Sequence, residues 1–366
     1  MGAWTGSHKG QYIPNKEKRG GGGHGRAATR APSPRPHPPL PLLYYTRPWR
    51  ADSPYSRGEG GRDAVGGPLW SPVRCLHPSP YLQCIARKGC QENSLNWQVL
   101  SICRLERIVC LLIDSHTHID TSRFNADREA VISAAVAGGV TRMIDPGVDL
   151  ASSRAALALA QTHPGVVFAG VGVHPHDATT YSDEVGEHLR EMARSPKVVA
   201  IGEFGLDYFR MLSPRDVQRA VFCAHLQLAG ACDLPCIIHV RDSHDDVIEL
   251  LRSHGQGLRG VFHCFSGDVD QAEECLAFEG FLLSFAGTLT RQGNALPEVA
   301  HIAPLDRILV ETDSPYLVPQ PLRVKRNEPL YVKYVAEKLA EIRGMTLEEI
   351  AQITTANAVR LFGLGE

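Results

Sequence analysis

From residue 109 to the C-terminus, short apolar runs rich in β-branched residues alternate with amphipathic stretches of helical period. This alternation constrains the fold more than any other feature of the chain. Runs at Val109–Asp114, Arg142–Asp145, Val166–Val173, Val198–Glu203, Cys236–His239, Gly260–His263, Phe281–Phe285 and Ile308–Glu311 read as strands. Helical patterns at Ala126–Ala137, Leu150–Thr162, Asp183–Arg194, Pro214–Ala229, Ser243–Ser253 and Asp268–Phe278 fit between most of them, with Glu328–Arg343, Thr346–Thr354 and Ala356–Phe362 closing the chain. The strand runs lack polar alternation, which implies a parallel sheet covered on both faces. Eight such strands in residues 109–366 predict an α/β fold of the (β/α)8 TIM-barrel type, which needs roughly 250 residues. A doubly wound open sheet would need a Gly-rich phosphate turn after an early strand, and none is present.

The chemistry sits where these runs end. The first run stops in His116-Thr117-His118, and residues i and i+2 of an extended backbone point to the same side. Glu203, His239, His263 and Asp313 each lie at or just past the end of another apolar run. Barrel enzymes place their active sites at the carboxyl ends of the strands. Six ionisable groups converging there would repel and be costly to desolvate unless cations neutralised them. Four imidazoles and two carboxylates suit Zn, Mn or Mg. They are too many for one tetrahedral ion, so two divalent ions fit better, with Glu203 as the bridge.

Residues 1–108 are a different kind of polypeptide. They carry 16 Lys/Arg against 6 Asp/Glu, whereas residues 109–366 carry 22 against 34. Gly20–Gly23, Pro32, Pro34, Pro36, Pro38 and Pro39 break any regular element, so this stretch reads as a low-complexity, disordered N-terminal extension. The same Pro and Gly content argues against the amphipathic helix of a transit peptide. No apolar run approaches the ~20 residues of a membrane span. The ten cysteines form no paired knuckles, and the expected setting is reducing and cytoplasmic.

The chain from Leu112 onward resembles the TatD-type metal-dependent deoxyribonucleases of the amidohydrolase superfamily. The motifs that carry the resemblance are LIDSHTHID (112–120), GVHPH (172–176), AIGEFGLDYFR (200–210), PCIIHVRDS (235–243), HCFSG (263–267), ETDSPYL (311–317) and RNEP (326–329). Val240 and Ser243 stand where relatives are expected to have Ser and Ala. The extension lies outside the resemblance. The resemblance implies a barrel with a one- or two-metal site that hydrolyses nucleic-acid phosphodiesters. It implies that His116, His118, Glu203 and Asp313 hold a first ion, and Glu203, His239 and His263 a second.

Metal-acidified water would then be the nucleophile, with Asp313 as the proton acceptor. His174 is expected to hydrogen-bond a phosphate or the leaving group, and Arg241 to clamp a phosphate, with Arg326 a weaker contact. Tyr208 and Phe209 offer rings for a base, or simply pack the rim. The acidic balance of residues 109–366 repels nucleic acid at long range. It favours short or single-stranded DNA ends and therefore an exonuclease. No obligate protein partner is expected, and the chain reads as a monomer or weak oligomer. Two other functions remain open: an amidohydrolase of a small ester, lactone or amide, and a non-catalytic barrel, which would be expected to have lost its ligands.

Overall fold

A computed structural model describes residues 111–365. The expected extension and the first two residues of the first strand lie outside them. Eight parallel strands follow one another in sequence order. They are β1 (Leu112–Asp114), β2 (Val140–Pro146), β3 (Val167–Val171), β4 (Val198–Asp207), β5 (Cys236–Arg241), β6 (Gly260–Phe262), β7 (Phe281–Phe285) and β8 (Ile308–Val310). The seam between β8 and β1 is closed just past the strand ends. Ser115 N–H donates to the Val310 carbonyl at 3.2 Å, Asp313 N–H to that of His116 at 2.9 Å, and His118 N–H to that of Ser314 at 2.7 Å. The expected (β/α)8 barrel is what the chain forms.

The helices are α1 (Arg128–Ala137), α2 (Leu150–Thr162), α3 (Asp183–Met192), α4 (Arg215–Cys232), α5 (His244–His254), α6 (Val269–Leu276), α7 (Leu296–Ile302), α8 (Val332–Arg343) and α9 (Leu347–Phe362). Local chemistry sets several of their starts. Asp149 caps α2 by accepting from Ser152 N–H at 2.7 Å, and Asp268–Gln271 and Thr346–Glu349 form reciprocal capping boxes on α6 and α9. Gly363, at φ 63°, ends α9.

Three expectations need correction. The C-terminal helices are one: Thr354 Oγ1 donates to the Ile350 carbonyl at 2.8 Å, so its hydroxyl is satisfied inside the helix and does not break it. Helix α7, unmarked by periodicity, lies within the β7–β8 connection. Strand β4 runs past Glu203 to Asp207, because Gly205 lets β5 close against it. A Cβ at Gly205 would lie 1.9 Å from the His239 carbonyl oxygen. Gly202, at φ +143°, is also pressed against β5: a Cβ there would lie 2.6 Å from the Ile237 carbonyl oxygen.

Two apolar clusters follow from the alternation of side chains along each strand. Leu112, Met143, Phe262, Leu283 and Val310 face the surrounding helices. Ile113, Ile144, Ile237, Val261, Leu282 and Leu309 fill the amino end of the barrel, where Ala358, Leu361, Phe362 and Leu364 plug it. The carboxyl end carries the polar side chains.

Candidate metal centre

Each of the six residues singled out from sequence reaches the carboxyl mouth, and the barrel brings all six together. His116 and His118 follow β1, Glu203 and His239 lie within β4 and β5, His263 follows β6, and Asp313 follows β8. His116 Nε2 and His118 Nε2 are 3.1 Å apart, and each is 3.4 Å from Glu203 Oε2. Asp313 Oδ1 completes this group at 3.9 Å from His116 and 3.5 Å from His118. Four donors about 2.0–2.1 Å from a shared centre would lie ~3.3–3.4 Å apart in a tetrahedron. The spacing fits a divalent ion.

The second oxygen of Glu203 faces a different set. Oε1 lies 2.8 Å from His239 Nδ1 and 2.8 Å from His263 Nε2, and those nitrogens are 3.2 Å apart. Adjacent donors on an octahedral ion at about 2.1 Å are ~3 Å apart. His174 Nε2 is 3.4 Å from the same oxygen. However, His174 Nδ1 accepts from the His176 backbone N–H at 3.1 Å. The neutral ring therefore carries its proton on Nε2, which faces the centre as a donor rather than a ligand.

The electrostatics describe a site whose positive charge is supplied by protons in the absence of ions. Burial opposes the Glu203 carboxylate, yet His263 and His174 outweigh it and hold the group well below the usual range. Burial also opposes charge on His118, His239 and His263. Asp313 and Glu203 carry His118 well above an ordinary histidine, and Asp207 and Glu203 raise His239. Glu203 and Glu311 bring His263 up to about 10. His116 and His174 go the other way, desolvated and beside other imidazoles, with His174 lowered to about 4. A cation entering here would displace protons.

Behind the six stands a layer of buried carboxylates that the sequence reading missed. Asp207 Oδ2 is 3.4 Å from His239 Nε2 and 2.8 Å from His176 Nε2. Glu311 Oε1 is 3.3 Å from His263 Nδ1 and accepts the Cys264 N–H at 2.7 Å. Asp145 and Asp120 gather beside His118. Burial raises the carboxyls of both, and the nearby Asp120 charge pushes Asp145 up further. Carboxylates in such places orient ligating imidazoles and make them more basic.

The remaining expected residues divide. Arg241 ends β5 at the mouth, with its guanidinium 4.0 Å above the ring of Phe209. Arg326 is already engaged: it makes a two-pronged pair with Asp127 at 2.7 and 2.9 Å, reaches Glu328 at 2.9 Å, and lies over Phe124. Both of its terminal nitrogens therefore already have partners, the Arg123 carbonyl among them. Tyr208 packs under Arg215 and donates its hydroxyl proton to Asp246. Phe209 is exposed. Beside His263 a cleft of about 420 Å³ opens between the loops after β5 and β6, lined among others by Asp242, Ser243, Asp245, Phe265 and Ser266.

Comparison with known proteins agrees with this geometry. The family model described as TatD related DNase matches residues 113–363. The uncharacterized metal-dependent hydrolase YabD of Bacillus subtilis is 43% identical over 254 residues, 69% of this chain and 99% of that protein. The 3'-5' ssDNA/RNA exonuclease TatD of Erwinia tasmaniensis is 38% identical over 260 residues, 69% of this chain and all of that protein. Among solved structures, YjjV, a TatD homolog from Escherichia coli, matches with a TM-score of 0.66 and 33% identity, covering 70% of this chain and 99% of its own. The chain belongs to the TatD-related metal-dependent hydrolase family, and it is an enzyme.

Proposed function

We propose that the catalytic unit, residues 109–366, hydrolyses phosphodiester bonds at single-stranded ends of DNA, with two divalent ions held on either side of Glu203. One observation carries this reading: the two oxygens of one buried carboxylate face two separate sets of donors. His116, His118, Glu203 and Asp313 would hold the first ion; Glu203, His239 and His263 would hold the second. The mixed nitrogen and oxygen donors suit Mg, Mn or Zn. When bound, such ions acidify water and neutralise charge building on phosphoryl oxygens.

The chain's own residues do the rest. Asp313 is 15% exposed in its side chain, so its carboxylate can meet a water and take its proton. Its carboxyl is held low, against burial, by the His118 hydrogen bond and the surrounding imidazoles, so it is ionised and ready to accept. His174 Nε2–H, its ring oriented by the His176 backbone, faces Glu203 Oε1 beside His239 and can donate to a phosphoryl or leaving-group oxygen without being charged. Arg241 supplies a phosphate contact at the rim. A nucleic-acid substrate is supported by the activity in the name of the Erwinia relative. The thiols of Cys223, Cys232, Cys236, Cys264 and Cys275 are free, which suits a reducing, cytoplasmic setting.

The test is to load the full chain with Mg, Mn or Zn and offer labelled single-stranded DNA, duplex DNA and a panel of small esters, lactones and amides. The expected result is shortening of the single strand from an end, abolished by a chelator. Turnover of the small esters alone would overturn the proposal.

A further inference from the structure

Two exposed aromatic rings stand at opposite seams of the barrel mouth, each paired with an arginine. Phe209, 60% exposed, follows β4 and lies under the guanidinium of Arg241 from β5, at 4.0 Å. Tyr316, 49% exposed, follows β8 and has the guanidinium of Arg123, from the β1–α1 loop, 5.5 Å above its ring. In an eight-stranded barrel of sequential order, the β4–β5 seam is diametrically opposite the β8–β1 seam. The metal centre therefore lies between the two pairs. Each is tied to it directly: Arg241 is two residues past His239, Tyr316 N–H donates to the Asp313 carbonyl at 2.9 Å, and the Tyr316 and His118 rings are 6.3 Å apart.

Phe209 and Tyr316 are among the large apolar side chains most open to water. Among the described residues, neither Arg123 nor Arg241 forms an ion pair. In contrast, Arg194, Arg219, Arg259 and Arg326 are each engaged with a carboxylate. An uncommitted cation over an exposed ring is the combination that holds single-stranded nucleic acid: the ring takes a base face and the guanidinium a phosphate. The cleft beside His263 is a poorer path for a phosphate backbone, because Asp242 and Asp245 line it.

Resting on the nuclease reading above, we infer that Phe209 and Tyr316 are the two stacking platforms of a single-stranded substrate. The strand crosses the mouth from the β4–β5 seam to the β8–β1 seam, with the base on one side of the scissile bond over Phe209 and the base on the other side over Tyr316. Sequence specificity is low in such an arrangement, because every base presents a π-face. Paired bases cannot splay onto the rings, so single strands are preferred over duplex.

The test uses Phe209→Ala and Tyr316→Ala in the full chain, with Phe209→Trp and Tyr316→Phe as conservative variants. Residues 1–108 are common to all of them and cancel in the ratios. KM for a short single-stranded oligonucleotide should rise about tenfold for each alanine variant, kcat should change by less than about threefold, and the aromatic variants should restore KM. Fluorescence anisotropy of the labelled strand in chelator, where no hydrolysis occurs, should show the same loss of affinity. Wild-type cleavage with KM unchanged in both alanine variants would overturn the stacking assignment and leave the nuclease reading standing. Ring-dependent binding without cleavage by the metal-loaded wild type would do the reverse. A loss that the aromatic variants fail to restore would also overturn the assignment.

Discussion

At the amino end of the barrel, Ile113, Ile144, Ile237, Val261, Leu282 and Leu309 meet the last turn of α9 in an apolar cluster. A few residues further along the same strands, the carboxyl end gathers the six donor residues, His174 and a second layer of largely buried acids. The backbone at both ends is the same parallel ladder, so the difference is entirely one of side chains. The amino end adds stability through burial, whereas the carboxyl end gives stability up, holding charges that only protons or cations reconcile. Stability and function are thereby separated along one axis. A change at either end should leave the property of the other largely intact.

The largest break in that comparison should come from Asp313. Asp313→Ala is expected to lower hydrolysis by at least about 10²-fold, the scale of a lost general base, with the melting temperature close to wild type. Steady-state rates and a thermal melt on the same preparation check both halves. Glu203→Gln should come next. Removing the charge facing both donor sets should deplete bound metal as well as rate, and elemental analysis that found metal unchanged would defeat its bridging place.

At the other end, Leu309→Ala opens a cavity in the plug and should cost about 2–5 kcal/mol, or roughly 2–4 °C of melting temperature per kcal/mol. Metal content should not change. A smaller effect sharpens the electrostatic side. His263 is brought up to about 10, and His118 and His239 are also raised, so at neutral pH the metal-free site holds protons that an ion must displace. Metal affinity should therefore rise with pH between about 6.5 and 10, up to tenfold per unit for each proton displaced. Calorimetry in buffers of different ionisation heat would read the released protons, and a pH-independent affinity would contradict this. Smallest of all, Arg326→Ala should leave KM unaltered and cost no more than about 1 kcal/mol, because its half-exposed carboxylate partners are screened by solvent.

The sequence carried the barrel and the six converging residues, since both depend on simple periodicities: apolar runs mark strands, and barrel strands end at one mouth. Helix α2 and strand β7 begin and end where the pattern places them, Leu150–Thr162 and Phe281–Phe285. What stayed hidden depended on contacts between distant segments. Asp207 could have been suspected, because alternate residues of an extended strand put it on the face of Glu203, but the end of β4 was not visible until Gly205 met His239. Glu311, next to the Thr312-Asp313 pair, looked like the end of a strand and serves His263 from behind. Arg326 looked free because nothing in sequence joins it to Asp127, 199 residues earlier. The pairing of Tyr316 with Arg123 is a property of the seam alone.

The most direct test of the account is a crystal structure of the metal-loaded protein with anomalous scattering recorded at the absorption edge of the ion. The account predicts two peaks at the carboxyl mouth. One should be bound by His116, His118 and Asp313, the other by His239 and His263, with the two oxygens of Glu203 divided between them. A single peak that leaves either oxygen of Glu203 without an ion, or ions bound elsewhere on the barrel, would contradict it.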